Sequence, residues 1–402
     1  MKVEKKLNLF EFISWQIGAL RYLGFWFYKS YPTMSVNYVL AILIRICTGL
    51  FVFIIPPGGE LIYLFRHIAS GKAEIQEIAG MINLILTELL VVMMLLNLCS
   101  HGAQLKKLTD QILSVEFYKF SMVHIKSVTA ALKLSKWLYI YLLVSCVSDI
   151  AVHVIIVPGI NGFQTLPLKM DLIYIDIDKY FSITFAYQVL YKPFIVLTFV
   201  TLKSFPWSCL IFATNQLDNL YKTIENLKHT VKIFMDEKDC DENTAFEKLF
   251  RECVQHHNYI LSFVDSVQAV FGGQFALTLI FNACIICTTS VQFVSIQSPS
   301  ENISELTWVF AFMFILAVIL FVDCYYGDSV TTKNFKISEA VYSYKWMDLS
   351  LKHKRNLQIF IGKTQMPLVL TTPLLVPISL DTFTKVMNWT YKGFAILNQM
   401  KE

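Results

Sequence analysis

Six uninterrupted apolar blocks constrain this chain more than any other feature. They cover about Tyr38–Pro56, Ile75–Cys99, Trp137–Val157, Phe181–Cys209, Val270–Ile296 and Leu306–Tyr326. A helix needs roughly 20 such residues to cross a hydrocarbon core. Backbone lying in lipid must satisfy its own hydrogen bonds, so continuous blocks mean helices. The ten-residue alternation of an outer-membrane barrel is not seen. A seventh block, about Pro377–Gln399, is weaker: it contains Asp381, Lys385 and Lys392, and Pro367, Pro373 and Pro377 lie in or before it. Such a helix suits a bundle interior or a water-filled path better than lipid.

Composition agrees. Mean hydropathy is +0.53 and only 16% of residues are charged, against about 25% in a soluble domain. This excludes a disordered chain and argues against a water-soluble globule. The first stretch, Met1 to Ser35, lacks an apolar core followed by a cleavage site, so the first block is expected to persist as a span.

Basic residues fix the orientation. Twenty-four Lys and Arg fall in the N-terminal segment and in the segments after the second, fourth and sixth blocks. The opposite side has five: Arg66, Lys72, Lys169, Lys179 and Lys401. The positive-inside rule then places the N-terminus in the cytosol, and seven spans place the C-terminus outside. The sequon Asn302-Ile303-Ser304 falls in an outer loop, which makes Asn302 a candidate glycosylation site. None of the nine Cys lies in an outer loop, so no disulfide framework is expected.

Two cytosolic stretches read as amphipathic helices. Leu217, Leu220, Ile224, Leu227, Val231 and Phe234 recur at helical spacing, as do Val341, Tyr344, Leu349, Leu357 and Phe360. These faces require burial, on each other, on other subunits or on the lipid surface.

The last third carries the most specific text. Phe321-Val-Asp-Cys-Tyr-Tyr-Gly-Asp328 closes the sixth block, followed by Ala340-Val341-Tyr342, Lys345-Trp346, Gln365-Met-Pro-Leu-Val-Leu-Thr371 and Pro377-Ile-Ser-Leu-Asp-Thr-Phe-Thr384, then Tyr391. This string resembles the C-terminal signature of insect odorant receptors, over about Cys253–Gln399.

The resemblance implies an all-α membrane protein of seven transmembrane helices with a cytosolic helical anchor. It divides the chain into 1–209 (N-terminal segment and spans 1–4), 210–269 (anchor helices), 270–330 (spans 5–6), 331–366 (anchor helices) and 367–402 (pore-lining span 7). It implies a heterotetrameric cation channel formed with an odorant co-receptor in the plasma membrane of a sensory dendrite. The segment between spans 4 and 5 is short, where the co-receptor carries an insertion, so this chain resembles the tuning subunit. The expected partners are a small volatile odorant, membrane lipid and the co-receptor, with no nucleic acid and no cofactor.

The resemblance also implies site residues. Ile396 and Met400 share one helix face, where an apolar ring closes a pore by dewetting. Gln399 offers an amide to an ion. These three match the family's gate and filter positions. Lys392 departs from the small polar residue more usual after Tyr391. By depth, the ligand pocket is expected among Met81, Leu84 and Thr87; Ser148, Asp149, Val152, His153 and Ile155; Tyr187 and Tyr191; Thr288; and Phe310 and Phe314. Asp149 and His153 are i, i+4 within a span, where ionisable groups are costly. Pairing with each other or with Lys192 is one expectation, and a ligand contact is the other. Glu88 poses the same question.

A G-protein-coupled receptor is disfavoured by the charge bias and by missing motifs. The terminal motif matches a gustatory-type channel imperfectly, and the internal repeats typical of a secondary transporter are not seen in this sequence. No nucleophile–base arrangement, phosphate loop or metal cluster supports an enzyme.

Overall fold

The computed structural model describes residues 8–26, 36–71, 74–160, 162, 166–171, 179–295, 303–344 and 346–399. Fourteen α-helices run through these residues, with no strand among them. α1 (Ser14–Tyr22) precedes α2 (Val36–Thr48) and α3 (Ile55–Ala69), which a π-turn over Gly49–Ile54 joins into one rod. The first apolar block ends at Pro56, yet the helix continues to Ala69. Proline is tolerated there because Pro56 and Pro57 open a new helix, where missing N–H groups cost nothing.

α4 (Ile75–Ser100) is followed by the short α5 (Gly102–Ile112) and α6 (Val115–Val123). α7 (Ile125–Ile150) passes through a π-turn into α8 (Val157–Ile160). α9 (Phe181–Glu225), α10 (Leu227–Lys238), α11 (Glu242–Ser295), α12 (Ile303–Tyr342), α13 (Leu351–Thr364) and α14 (Leu380–Gln399) complete the chain. Among the described residues, six helical rods are long and apolar enough to cross a membrane. α14 has the length of a span, but it carries the charges noted above.

α9 is the hub, with 78% of its apolar window buried. It runs unbroken through Pro193 and Pro206. Pro206 has no N–H, which strands the carbonyl of Leu202 four residues earlier. Gln274 of α11 donates to that carbonyl at 2.7 Å, the type of rescue that lets proline persist in packed membrane helices. Deeper still, Lys203 Nζ reaches Asp323 Oδ2 at 2.5 Å, and Trp207 Nε1 donates to Asp323 Oδ1 at 2.6 Å. Both charged side chains are almost fully buried. This bridge clamps α9 to α12.

α4 and α11 pack antiparallel. Asn97 Nδ2 donates to the Val270 carbonyl at 3.0 Å, while Asn83 bonds Thr288 and Gln292 at the other end. Bonds of this kind supply part of the association energy that the hydrophobic effect cannot supply between helices in lipid. α1 lies against α9 with Ile17 and Leu20 buried, and its Gln16 Nε2 donates to Ser208 Oγ at 2.9 Å.

The amphipathic faces are buried on each other. α9, α11 and α12 extend well past their apolar blocks and meet α10 and α13. Leu217, Leu220, Ile224, Leu227 and Val231 are buried there, as are Val341, Tyr344, Leu349, Leu357 and Phe360. Phe246 and Phe250 stack at the centre of this bundle, with Tyr344, His353 and Phe360 around them.

His256 stacks on Phe120 with ring centroids 3.8 Å apart. Burial, with His257 beside it, pushes its imidazole from the ordinary 6.5 down to about 3. Burial and nearby Lys363 also lower His257, against the pull of its Asn334 bond. Both rings are therefore neutral in the folded bundle. An unfolded chain takes up protons below about 6.5, so stability is complete above that pH and is lost as pH falls toward 3. The slope approaches about 1.4 kcal/mol per pH unit per group. Thermal melts of the purified protein are expected to fall steadily from pH 7 to 4.5, and His256→Phe to flatten the curve. An unchanged melting temperature across that range contradicts this account.

α13 and α14 are separated by a non-helical turn. Ile378 N bonds Leu370 O at 2.8 Å and Thr372 N bonds Val376 O at 2.9 Å. Leu375 adopts φ 59 at the tip. This is where the prolines gather: Pro367, Pro373 and Pro377 deny the helix its donors. The turn packs on Gly327 of α12, where an added Cβ would stand 2.3 Å from the Ile378 carbonyl. Phe321 meets Phe383 edge-on at 5.6 Å, and Cys324 packs on Val386. The two most specific sequence blocks, 321–328 and 377–384, thus touch.

Candidate functional site

An internal cavity of about 150 Å³ lies where α4, α7, α9, α11 and α12 converge. Leu90, Val91, Ile195, Phe199, Ile285, Phe312 and Ile319 form much of its wall. Its polar groups are Thr87, Glu88, Asp149, Lys192 and Asn282. Lys192 Nζ donates to Glu88 Oε1 at 2.6 Å, with both side chains nearly buried. Glu88 Oε2 and Asn282 Nδ2 are buried without a hydrogen-bond partner among the described residues. Asp149 Oδ1 accepts from Trp308 Nε1 at 2.9 Å. Lys192, then, is paired with Glu88 and not with Asp149. This answers the question that Glu88 posed.

A more open cleft adjoins the cavity at Leu84, which lines both. Glu60, Glu77, Met81, Leu168, Lys169 and Gln292 border it. Its roof is the segment at 166–171. Gln188 grips Leu168 through both backbone groups at 3.0 and 2.9 Å, and Asp171 N bonds Gly59 O at 3.0 Å. Lys169 bonds Glu77 at 2.7 Å. Glu60 is 1% exposed, and neither of its carboxylate oxygens has a partner among the described residues.

The expected pocket residues divide into several groups. Leu84, Thr87 and Asp149 line the cavity, and Met81 borders the cleft. Tyr187 and Tyr191 lie 5.0 Å apart on α9 beside it: Tyr187 donates to the Phe51 carbonyl, and the Tyr191 ring sits 5.6 Å from Lys192 Nζ. Thr288 bonds Asn83 instead of facing the cavity. Phe310 and Phe314 point outward, 57% and 64% exposed, and Ile155 is 56% exposed. Val152 and Ser148 are also on the outer surface.

These positions need correction for helical phase. The inward face of α12 carries Phe312, Ile315, Leu316 and Ile319. Depth alone does not fix rotation about a helix axis. The His153, Ile396 and Gln399 side chains, and all of Asn302 and Met400, lie outside the described residues.

Glu60 and the Lys203–Asp323 pair lie outside the expected site residues. Ionisable residues within apolar blocks were the available signal for both.

Six membrane-length helices among the described residues, five of them lining a mostly apolar cavity, define a multi-pass helical membrane protein with a candidate ligand site. The chain belongs to the 7tm Odorant receptor family, whose model matches residues 74–391. Odorant receptor 46a, isoform B, of Drosophila melanogaster is 23% identical over 401 residues, 97% of this chain and 98% of that relative. Odorant receptor 85f of the same fly is 31% identical, but over 153 residues, only 38% of each chain. The insect olfactory receptor OR5 from Machilis hrabei shares the fold: TM-score 0.80, 15% identity, 98% of each chain covered. Its complex with eugenol matches at TM-score 0.78. This is a receptor family and not an enzyme family.

Proposed function

We propose that this chain is the odorant-binding subunit of a cation channel in the plasma membrane, assembled as a heterotetramer with an odorant co-receptor. The cavity between α4, α7, α9, α11 and α12 carries the proposal: it is internal, mostly apolar and furnished with a few polar groups. A receptor of the same fold has been solved with eugenol, a small volatile phenol. The basic bias supports a cytosolic N-terminus, and with α14 as a seventh span an external C-terminus.

α14 would line the pore. One face packs on α11 and α12 through Phe383 and Val386, while Trp389 and Tyr391 are each 69% exposed and available to other subunits. Ile396 and Met400 would form the gate and Gln399 the filter. Odorant binding would favour the open arrangement by its difference in affinity for the two states.

Co-expression with a co-receptor in oocytes tests this. Volatile-evoked cation current that requires both chains and no G protein is expected. Alanine at Ile396 and Met400 is expected to raise resting current. Surface-expressed protein that stays silent to a broad panel, or evoked current that requires a G protein, would refute it.

A further inference from the structure

We infer that the cavity selects small organic amines over matched alcohols, acids and esters; this rests on the odorant-binding reading above. The inference starts from charge. Glu88 and Asp149 share the cavity with a single cation, Lys192, which is already spent on Glu88 at 2.6 Å. Asp149 has a neutral donor, the Trp308 indole, and no ion pair among the described residues. Glu60, at the neighbouring cleft, interacts electrostatically with both Glu88 and Lys192 and has no partner among the described residues. Within the cavity, the two acidic side chains Glu88 and Asp149 therefore outnumber the one cation among the described lining residues. An uncompensated carboxylate in a low-dielectric site is costly until a counter-charge arrives.

Hydrogen bonding points the same way. Glu88 Oε2 is an unpaired acceptor on a side chain only 2% exposed, and it belongs to the cavity wall. An ammonium carries up to three donors, enough for Glu88 and Asp149 together. A hydroxyl carries one, and an ester carries none. A carboxylate ligand meets two like charges. The unpaired Asn282 amide does not discriminate, because a half-turn of its end group exchanges donor for acceptor. The body of the ligand must be alkyl or aryl, since Ile195, Phe199 and Phe312 offer no oxygen to an inorganic cation.

The test compares hexylamine, hexan-1-ol, hexyl acetate and hexanoic acid at one chain length. Currents are recorded from the full-length chain with its co-receptor, and binding is measured on the same complex in nanodiscs. Hexylamine is expected to act and bind at concentrations about tenfold or more below hexan-1-ol. Asp149→Asn is expected to shrink that ratio below about threefold. Equal potency of hexan-1-ol, or an undiminished amine preference in Asp149→Asn, overturns the inference. Amine binding without current keeps the amine site and removes the channel reading. Current evoked by other volatiles, with no amine response or binding, does the reverse. Neither binding nor current across the series removes both.

Discussion

Asp323→Asn is expected to abolish surface expression. The substitution removes the counter-charge of Lys203, which is 1% exposed and keeps the neutral Thr278 hydroxyl at 3.2 Å. Breaking one side of a buried pair costs about 3–5 kcal/mol, because the surviving charge stays buried. That is a large part of the 5–15 kcal/mol by which a typical protein is stable. Surface labelling and the monodisperse fraction in detergent read the effect. The double change Lys203→Met with Asp323→Asn is expected to recover most of the loss. The charge is then gone, and the asparagine carbonyl still accepts from Trp207 Nε1, now at 2.6 Å from Oδ1 of Asp323. Wild-type surface levels in the single variant would mean that the bridge is dispensable.

The second large effect is at Gly327. An added methyl would stand 2.3 Å from the Ile378 carbonyl oxygen and 2.8 Å from Ile378 Cγ2. The first obstacle is backbone and cannot swing aside. Overpacking of this kind costs about 1–3 kcal/mol or more, and here it falls on the contact that docks α14 against α12. Gly327→Ala is therefore expected to reach the surface in reduced amount and to lose evoked current out of proportion to that reduction. Protease cleavage near Leu375 should accelerate. Gly362→Ala is the control: nothing lies within 4 Å of its added Cβ, and a change within about 0.5 kcal/mol is expected. Equal behaviour of the two variants would sink the argument.

Much of the fold was legible because hydropathy reads length directly. The six blocks became six rods, and the amphipathic stretches found burial. Their partners were less legible: periodicity shows that a face needs cover, not what covers it. The continuation of α2–α3 past Pro56 was hidden because proline is read locally as a stop, while here it begins a fresh helix. For the candidate cavity, depth along the helices was legible but helical phase was not. Asp149, Leu84 and Thr87 meet at the cavity, yet Phe310 and Phe314 lie on the opposite side of α12 from Phe312. A two-residue step on a helix turns about 200°, and apolar residues on both faces of a membrane helix mask which way it points. Glu88 and Lys192 were visible as charges, but their pairing across 104 residues was not.

α11 runs 54 residues without interruption, from the aromatic bundle to the far side of the cavity. At 1.5 Å per residue it is a beam about 80 Å long. Pivoting such a beam by about 2° around its centre sweeps each tip through about 1.4 Å, roughly the rise of one residue. Ile285 near one end touches the cavity, and Phe250 near the other sits in the aromatic bundle. A displacement at Ile285 would therefore reach Phe250, about 50 Å along the same beam, at nearly full size, because the arms on either side of the centre are almost equal.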